Sequence, residues 1–461
     1  MTALSFDRFT LDMRRGACPA LSAPMMTGDG LLARVPLTGA IAPLQLAELC
    51  RLARRHGNGV LDISARGNLQ VRGLTKTSAP VLEADIRALG LPLREGLAIE
   101  VPPLAGMDPT EIADARPIAG AIEEGARDIQ GLAPKMSVVV DGGGQLRLSS
   151  LLADIRLVAL GIDGGIRWKL LLGGTEATGR VFDVLRETEV VGAVVALLKR
   201  LAALGQRARG KDLATSSPSS CSGLSRTSIH AESREASQML GTSPSMTEAP
   251  SSPFCLLPLS NDLWAVGIGP AFGQASAEDL VRLCEEAGRL GMNFVKPALD
   301  HSLLFFGLKA ACEALAAFAK ECGFITSPAD PRSHVAVCPG RPSCRSASFA
   351  THTVATMAAA ECAGLFDGSF RLHVSGCAKG CALPQPAALS LTGTAAGLSF
   401  IADGKAADRP FASVTFADTN AALCRIADLV RAERQGDENS AACLARLGPE
   451  RLSAAVTSGR P

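Results

Sequence analysis

Two cysteine pairs near the C-terminal end constrain this chain more than any other feature. They read Cys338-Pro-Gly-Arg-Pro-Ser-Cys344 and Cys377-Ala-Lys-Gly-Cys381, spacings of C-x5-C and C-x3-C. Each pair follows a short apolar run, His334-Val-Ala-Val337 and Leu372-His-Val374, with the character of a buried strand. Between them lies an Ala-rich stretch, Ser346 to Glu361, of helix-forming composition and long enough to cross from one strand to a parallel neighbour. Two parallel strands would then deliver four thiolates to one end of a sheet. Thiolate-only ligation suits zinc or an iron–sulfur cluster. Structural zinc sites usually space paired ligands C-x2-4-C, and the wider C-x5-C loop favours the larger cubane. A [4Fe-4S] cluster held by Cys338, Cys344, Cys377 and Cys381 is therefore expected, with zinc and purely structural cysteines as the alternatives. Gly340, Gly376 and Gly380 would let backbone N–H groups approach the cluster sulfides. The other ten cysteines are scattered singly; Cys50, Cys284 and Cys312 sit in helical patterns as small apolar residues.

The chain also repeats itself. Pro43 to His56 places Leu46, Leu49, Cys50 and Ala53 on one helical face and closes at Gly57. Strand-like segments Val60–Ile63 and Leu69–Leu74 follow, then a helical pattern from Ser78 to Leu89. In the second half a capped helix with Ser276, Asp279, Leu280, Leu283, Cys284 and Ala287 closes by Gly291. Phe294-Val295, Leu303–Leu308 and a helical pattern from Lys309 to Cys322 complete the copy. Cys50 and Cys284, Gly57 and Gly291, Gly73 and Gly307 all keep the same offset, which predicts a duplicated helix–strand–strand–helix unit. A Ser/Thr/Pro-rich linker, 206–253, with Ser216-Ser-Pro-Ser-Ser220 and Pro250-Ser-Ser-Pro253, separates the halves. Only the second half carries the cysteine pairs.

Composition excludes several functions. With 47% apolar and 20% charged residues, the 461-residue chain can build sizeable cores. A net charge of +1 gives no basic excess for nucleic-acid phosphates. No apolar run is long enough to cross a membrane, and the first residues lack a signal-peptide core. Fourteen cysteines without an export signal point to the reducing cytoplasm. There is no tyrosine, so no phenol of this chain can donate a proton.

These residues together resemble the sulfite and nitrite reductase family. The resemblance implies an α+β fold: an internally duplicated architecture of paired ferredoxin-like half-domains and two α/β domains, one carrying a 4Fe-4S cluster. The implied divisions are 15–90 and 254–325 for the half-domains, 91–205 for the first α/β domain, and 326–461 for the cluster-binding domain and tail. The resemblance spans the chain except the linker and the segment after about Ala407. Gly16-Ala-Cys-Pro19, Pro24-Met-Met-Thr-Gly-Asp-Gly-Leu-Leu32 and Val374-Ser-Gly-Cys-Ala-Lys-Gly-Cys381 are most similar to the family's tetrapyrrole-hydroxylating branch. That branch implies a monooxygenase of aerobic cobalamin synthesis, acting on precorrin-3A with O2 and an external electron donor. It also implies a second iron centre, either sirohaem, bridged through Cys381, or mononuclear non-haem iron.

Departures from the reductase pattern support that branch. The reductases cage their small anion with two arginines and two lysines. Arg66, with Asn68 and Gln70 beside it, matches the first arginine, and Lys135 the first lysine. The second lysine position holds Ser137, and Pro102 to Pro109 lacks the expected Arg-Asn pair. A weaker positive cage suits a spread polycarboxylate better than a tiny oxyanion. Gly142-Gly-Gly144 reads as a tight turn, since no helix pattern opens there. Among the six histidines no pair has metal-ligand spacing; His301 is the candidate facing substrate, and His334 and His373 enter the cysteine strands. Lys379, Arg341 and Arg345 flank the thiols. The competing functions are a sirohaem-dependent sulfite or nitrite reductase and a non-catalytic electron-transfer subunit.

Overall fold

In the helix Pro43–His56 a proline starts the first turn, where its missing N–H is not needed, and Arg54, Arg55 and His56 face the negative end of the helix dipole. Gly57 closes it, donating its N–H to the Ala53 carbonyl. Val60–Ile63 and Leu69–Leu74 then pair antiparallel, and Ser78–Ala88 forms the second helix. The copy follows the same plan: helix Ala277–Arg289, capped by Ser276 Oγ accepting the Asp279 N–H at 3.0 Å, strands Phe294–Ala298 and Ser302–Gly307, and helix Lys309–Glu321.

These elements come from a computed structural model that describes residues 19–162, 164–214 and 252–458. Gly16, Ala17, Cys18, His230 and most of the linker lie outside the described residues. The chain divides into two units, one of residues up to 94 with those from 253 onward, the other of residues 95–252.

In the first unit the two repeats exchange strands. One antiparallel sheet runs Met25–Met26, Leu31–Val35, Leu69–Leu74, Val60–Ile63 and finally Gln274–Ser276 from the second copy. Reciprocally, Ile41 bridges Val295 beside the second sheet, whose order is Leu256–Pro258, Trp264–Ile268, Ser302–Gly307, Phe294–Ala298. Ala275 opposite Leu61 and Ile41 opposite Val295 are equivalent contacts at the repeat offset. Arg51 Nη2 meets Glu285 Oε1 at 2.6 Å, residues 234 apart, and Cys50 and Cys284 are both fully buried between the paired helices. One hydrophobic core, with Leu49, Val71, Leu283 and Phe305, serves both copies.

The duplication extends to the larger sheets. In the second unit Ala98–Glu100, Ser137–Asp141 and Ile155–Ile162 run parallel, followed by antiparallel Gly165–Leu172 and Arg180–Arg186. In the first unit Val335–Val337, Leu372–Ser375 and Ala387–Gly393 run parallel, followed by antiparallel Leu398–Gly404 and Ala412–Val414. Order and directions are the same. The segment after Ala407 is more than a tail: helices Thr419–Glu433 and Ser440–Thr457 pack Leu423, Ile426, Leu444 and Leu452 into the core of this sheet. Among the described residues no helix is long and apolar enough to cross a membrane.

Phe305, fully buried on an inner strand of its four-stranded sheet, should be costly to truncate. Phe305→Ala is expected to lower the unfolding free energy by about 3–5 kcal/mol. Glu285→Gln, removing only an exposed ion pair, should change it by less than about 1 kcal/mol. Urea titration of the two variants measures both.

Candidate metal centre

Val335, Ala336 and Val337 pair in parallel with Leu372, His373 and Val374, so the segments after both strands leave the same end of the sheet. Cys338 extends the ladder by donating its N–H to the Val374 carbonyl at 3.2 Å. Its buried sulfur accepts the Gly376 N–H at 3.1 Å. The two loops pack closely on their surroundings: a Cβ on Gly340, whose φ is +62°, would strike Thr351, and one on Gly376 would strike Ala347. Thr351 Oγ1 also donates to the Cys338 carbonyl at 2.5 Å. The crossover helix is shorter than its composition suggests, Thr351–Glu361. The residues before it are taken by the loops: Ala347 accepts from Arg341 Nε at 2.7 Å and Ser348 donates its N–H to Gly376 at 2.9 Å.

Cys344 and Cys377 are half-buried and Cys381 is exposed. Burial, and then the neighbouring sulfurs of Cys377, Cys338 and Cys344, push the Cys381 thiol above its ordinary value; Lys379 pulls the other way. The Cys381 sulfur thus stands close enough to the other three to sense them as like charges. The donor set and the glycine-walled loops fit a cluster. Among the described residues, no three histidine, cysteine or acidic side chains converge tightly enough to share a single ion.

The flanking residues have definite positions. Lys379 Nζ reaches Ser346 Oγ at 2.7 Å, joining the two loops. The Arg341 guanidinium pins its own loop, and Arg345 is exposed. His373 is fully buried, with Nδ1 3.5 Å from Ser390 Oγ and no partner for Nε2 among the described residues. His334 ends a short 3-10 turn before its strand. His301, in a left-handed conformation, has Nδ1 2.5 Å from the Ile63 carbonyl. Burial lowers the pKa of His301 and of His352, and His352 also senses Asp62, Arg72 and His301.

Arg66 lies exposed in the turn between Val60–Ile63 and Leu69–Leu74. Lys135 is exposed in the other unit, its carbonyl accepting Arg209 Nη2 at 3.2 Å. Ser137, at the second lysine position, is buried and donates its N–H to Asp154 Oδ2 at 3.1 Å. In that unit the loops corresponding to the cysteine loops are tied to each other by hydrogen bonds: the Asp108 carboxylate accepts the Gln145 N–H at 2.5 Å and Gln145 Nε2 at 3.2 Å. Gly142–Gly144 is a turn there, with the Gly143 N–H on Asp141 Oδ1 at 3.0 Å.

Sequence reasoning missed Arg72. It is only 2% exposed, with Nε and Nη2 on Asp29 at 3.0 and 2.9 Å and Nη1 on Asp62 at 2.7 Å. It belongs to a polar sheet face: Arg34 lies opposite Gln70, Gln70 opposite Asp62, and Asp62 opposite Gln274, a rank across four strands. The signal was present in the alternation of Asn68, Gln70 and Arg72 with the core residues Leu69 and Val71.

Residues 23–89 match the nitrite/sulfite reductase ferredoxin-like half domain. A precorrin-3B synthase of Sinorhizobium sp is 40% identical over 453 residues, covering 97% of this chain and 95% of that one. The chain belongs to the precorrin-3B synthase family. A ferredoxin–nitrite reductase of Synechococcus elongatus is more distant, 23% identical over 385 residues, 78% of this chain and 75% of that one. The chain shares its α+β, internally duplicated fold with the Mycobacterium tuberculosis NirA protein, at a TM-score of 0.69 and 20% identity over 92% of this chain and 84% of that one.

Serine at Cys338, Cys344, Cys377 or Cys381 should strip most of the iron from anaerobically purified protein, while Cys255→Ser leaves it in place. Iron and acid-labile sulfide assays check this. Burial also holds the His373 imidazole down at about 4, against an ordinary 6.5, so it is neutral in the fold and gains a proton on unfolding. Its contribution to stability is full above pH 6.5 and declines as pH falls toward 4, by about 1.4 kcal/mol per unit. In urea titrations at pH 7 and pH 5.5, His373→Phe should lack that part of the decline.

Proposed function

We propose that the protein is a precorrin-3B synthase. It hydroxylates precorrin-3A at ring carbon C20 with O2, and a ring acetate closes a γ-lactone. One oxygen atom of O2 enters the product, and the other leaves as water on uptake of two electrons and two protons from an external donor. The near full-length identity to the Sinorhizobium synthase is the observation that carries this reading.

Cys338, Cys344, Cys377 and Cys381 are the residues that would hold a [4Fe-4S] cluster. Such a cluster would supply one-electron transfer, and the O2 chemistry would call for the second iron centre that the family resemblance implies, sirohaem or mononuclear non-haem iron. The chain's own contribution is recognition and positioning. Precorrin-3A is a large polycarboxylate, and guanidinium groups match carboxylates bidentately. The polar sheet face carries Arg34, whose buried Nε makes no hydrogen bond among the described residues, and Arg66 stands at the end of the same sheet. Lys135, the other cationic residue that matches the family pattern, is a candidate site residue within its own unit. Ser137, buried against Asp154, leaves no ammonium at the second lysine position, which weighs against a small-oxyanion reductase.

Anaerobic protein given precorrin-3A, a reductant and isotope-labelled O2 should incorporate one labelled oxygen per product, read by mass spectrometry. Unchanged precorrin-3A alongside viologen-driven consumption of nitrite or sulfite would establish the reductase reading instead. Arg66→Ala should raise the KM for precorrin-3A roughly tenfold, the loss of one charge-assisted contact.

A further inference from the structure

We infer that the first ferredoxin-like half-domain clamps the C-x5-C loop of the cluster-binding domain, so that Gly28 and Arg72 are positioning residues for Cys344. The inference deepens the metal-centre reading and rests on it.

Ser343, immediately before Cys344, is held from three directions. Its carbonyl accepts the Gly28 N–H at 2.9 Å and Arg72 Nη2 at 3.1 Å, and its Oγ donates to Asp29 Oδ2 at 3.2 Å. All three groups come from the first repeat. The turn that presents Gly28 and Asp29 is closed by its own hydrogen bonds: Thr27 donates its N–H to the Gly30 carbonyl at 2.8 Å and its Oγ1 to Asp29 Oδ1 at 2.8 Å. Asp29 also accepts Asn58 Nδ2 at 3.2 Å, besides the two Arg72 contacts.

Arg72 accounts for its own burial only in part through carboxylates. Asp29 and Asp62 take Nε and one hydrogen from each terminal nitrogen, and the remaining donor on Nη2 is the one that reaches Ser343. A lysine could not serve all three acceptors, because its ammonium lacks the planar fork.

Gly28 supplies an independent line. It is not left-handed, so conformation does not require glycine there. Space does: a Cβ at Gly28 would run into the Pro342 carbonyl oxygen and lie 3.0 Å from the Cys344 amide nitrogen. Backbone therefore packs on backbone next to a proposed ligand. Cys338, by contrast, is fixed by its own strand ladder and by Gly376. The external hold falls on the Cys344 side of the quartet.

The test uses anaerobically purified full-length protein and two variants. Gly28→Ala disturbs the packing and keeps every buried charge; Arg72→Lys keeps the charge and removes the Ser343 contact. Hydrogen exchange is followed by mass spectrometry for 339–345 and for 372–382, and the EPR spectrum of the reduced centre is recorded. Both variants should speed exchange in 339–345 about tenfold or more, the loss of one or two hydrogen bonds. Exchange in 372–382 should stay at the wild-type rate, and the EPR g-values should shift with iron content retained. Wild-type exchange and spectra in Gly28→Ala would overturn the clamp. So would exchange that rises equally along the whole chain, the mark of general destabilisation. Should Arg72→Lys fail to fold, Gly28→Ala decides alone. A protein that contains no cluster would refute the metal-centre reading, and the exchange contrast would still decide the clamp.

Discussion

The pairing of Val335–Val337 with Leu372–Ser375 is the interaction on which the rest of the structure's chemistry depends. Two parallel strands end together, and so the loops that follow them face one another. Antiparallel strands would have sent the two cysteine pairs to opposite ends of the sheet. Parallel pairing requires a crossover, which the helix Thr351–Glu361 supplies, and its first residue also braces the loop by hydrogen-bonding the Cys338 carbonyl. Bringing four ionisable sulfurs together in this way is unfavourable on its own, and a bound cationic centre would relieve it.

Duplication gives the chain two such sheet ends and uses them differently. In one copy the loops carry thiols; in the other an aspartate, Asp108, draws the loops together with hydrogen bonds to Gln145. The smaller repeats are interlocked rather than merely adjacent. Each lends backbone pairing to the other's sheet, and their helices share one core. The first repeat also reaches the C-x5-C loop, with Gly28 and Arg72 on the Ser343 carbonyl and Asp29 on its hydroxyl.

Much of this was legible in the sequence because the signals are local. Helical periodicity placed Pro43–His56 and Ala277–Arg289, the constant offset revealed the repeats, and apolar runs ahead of each cysteine pair marked two strands that the structure finds parallel. The long-range part was not legible. Arg72 meets Asp29 across 43 residues and Ser343 across 271, and no pattern in any short window records such contacts. The crossover helix begins five residues later than its alanine content suggests, since tertiary hydrogen bonds claim the preceding backbone. The helices after Ala407 fell outside the family resemblance, although their apolar faces complete a core. Arg66 and Lys135, candidates by alignment of motifs, belong to separate units.

The Mössbauer spectrum of anaerobically isolated, iron-enriched protein tests the central claim most directly. A cubane bound by four thiolates predicts the signature of valence-delocalised iron pairs, in an amount matched by acid-labile sulfide. A spectrum of isolated thiolate-bound iron without sulfide, or a protein that carries zinc at these cysteines, would contradict the account.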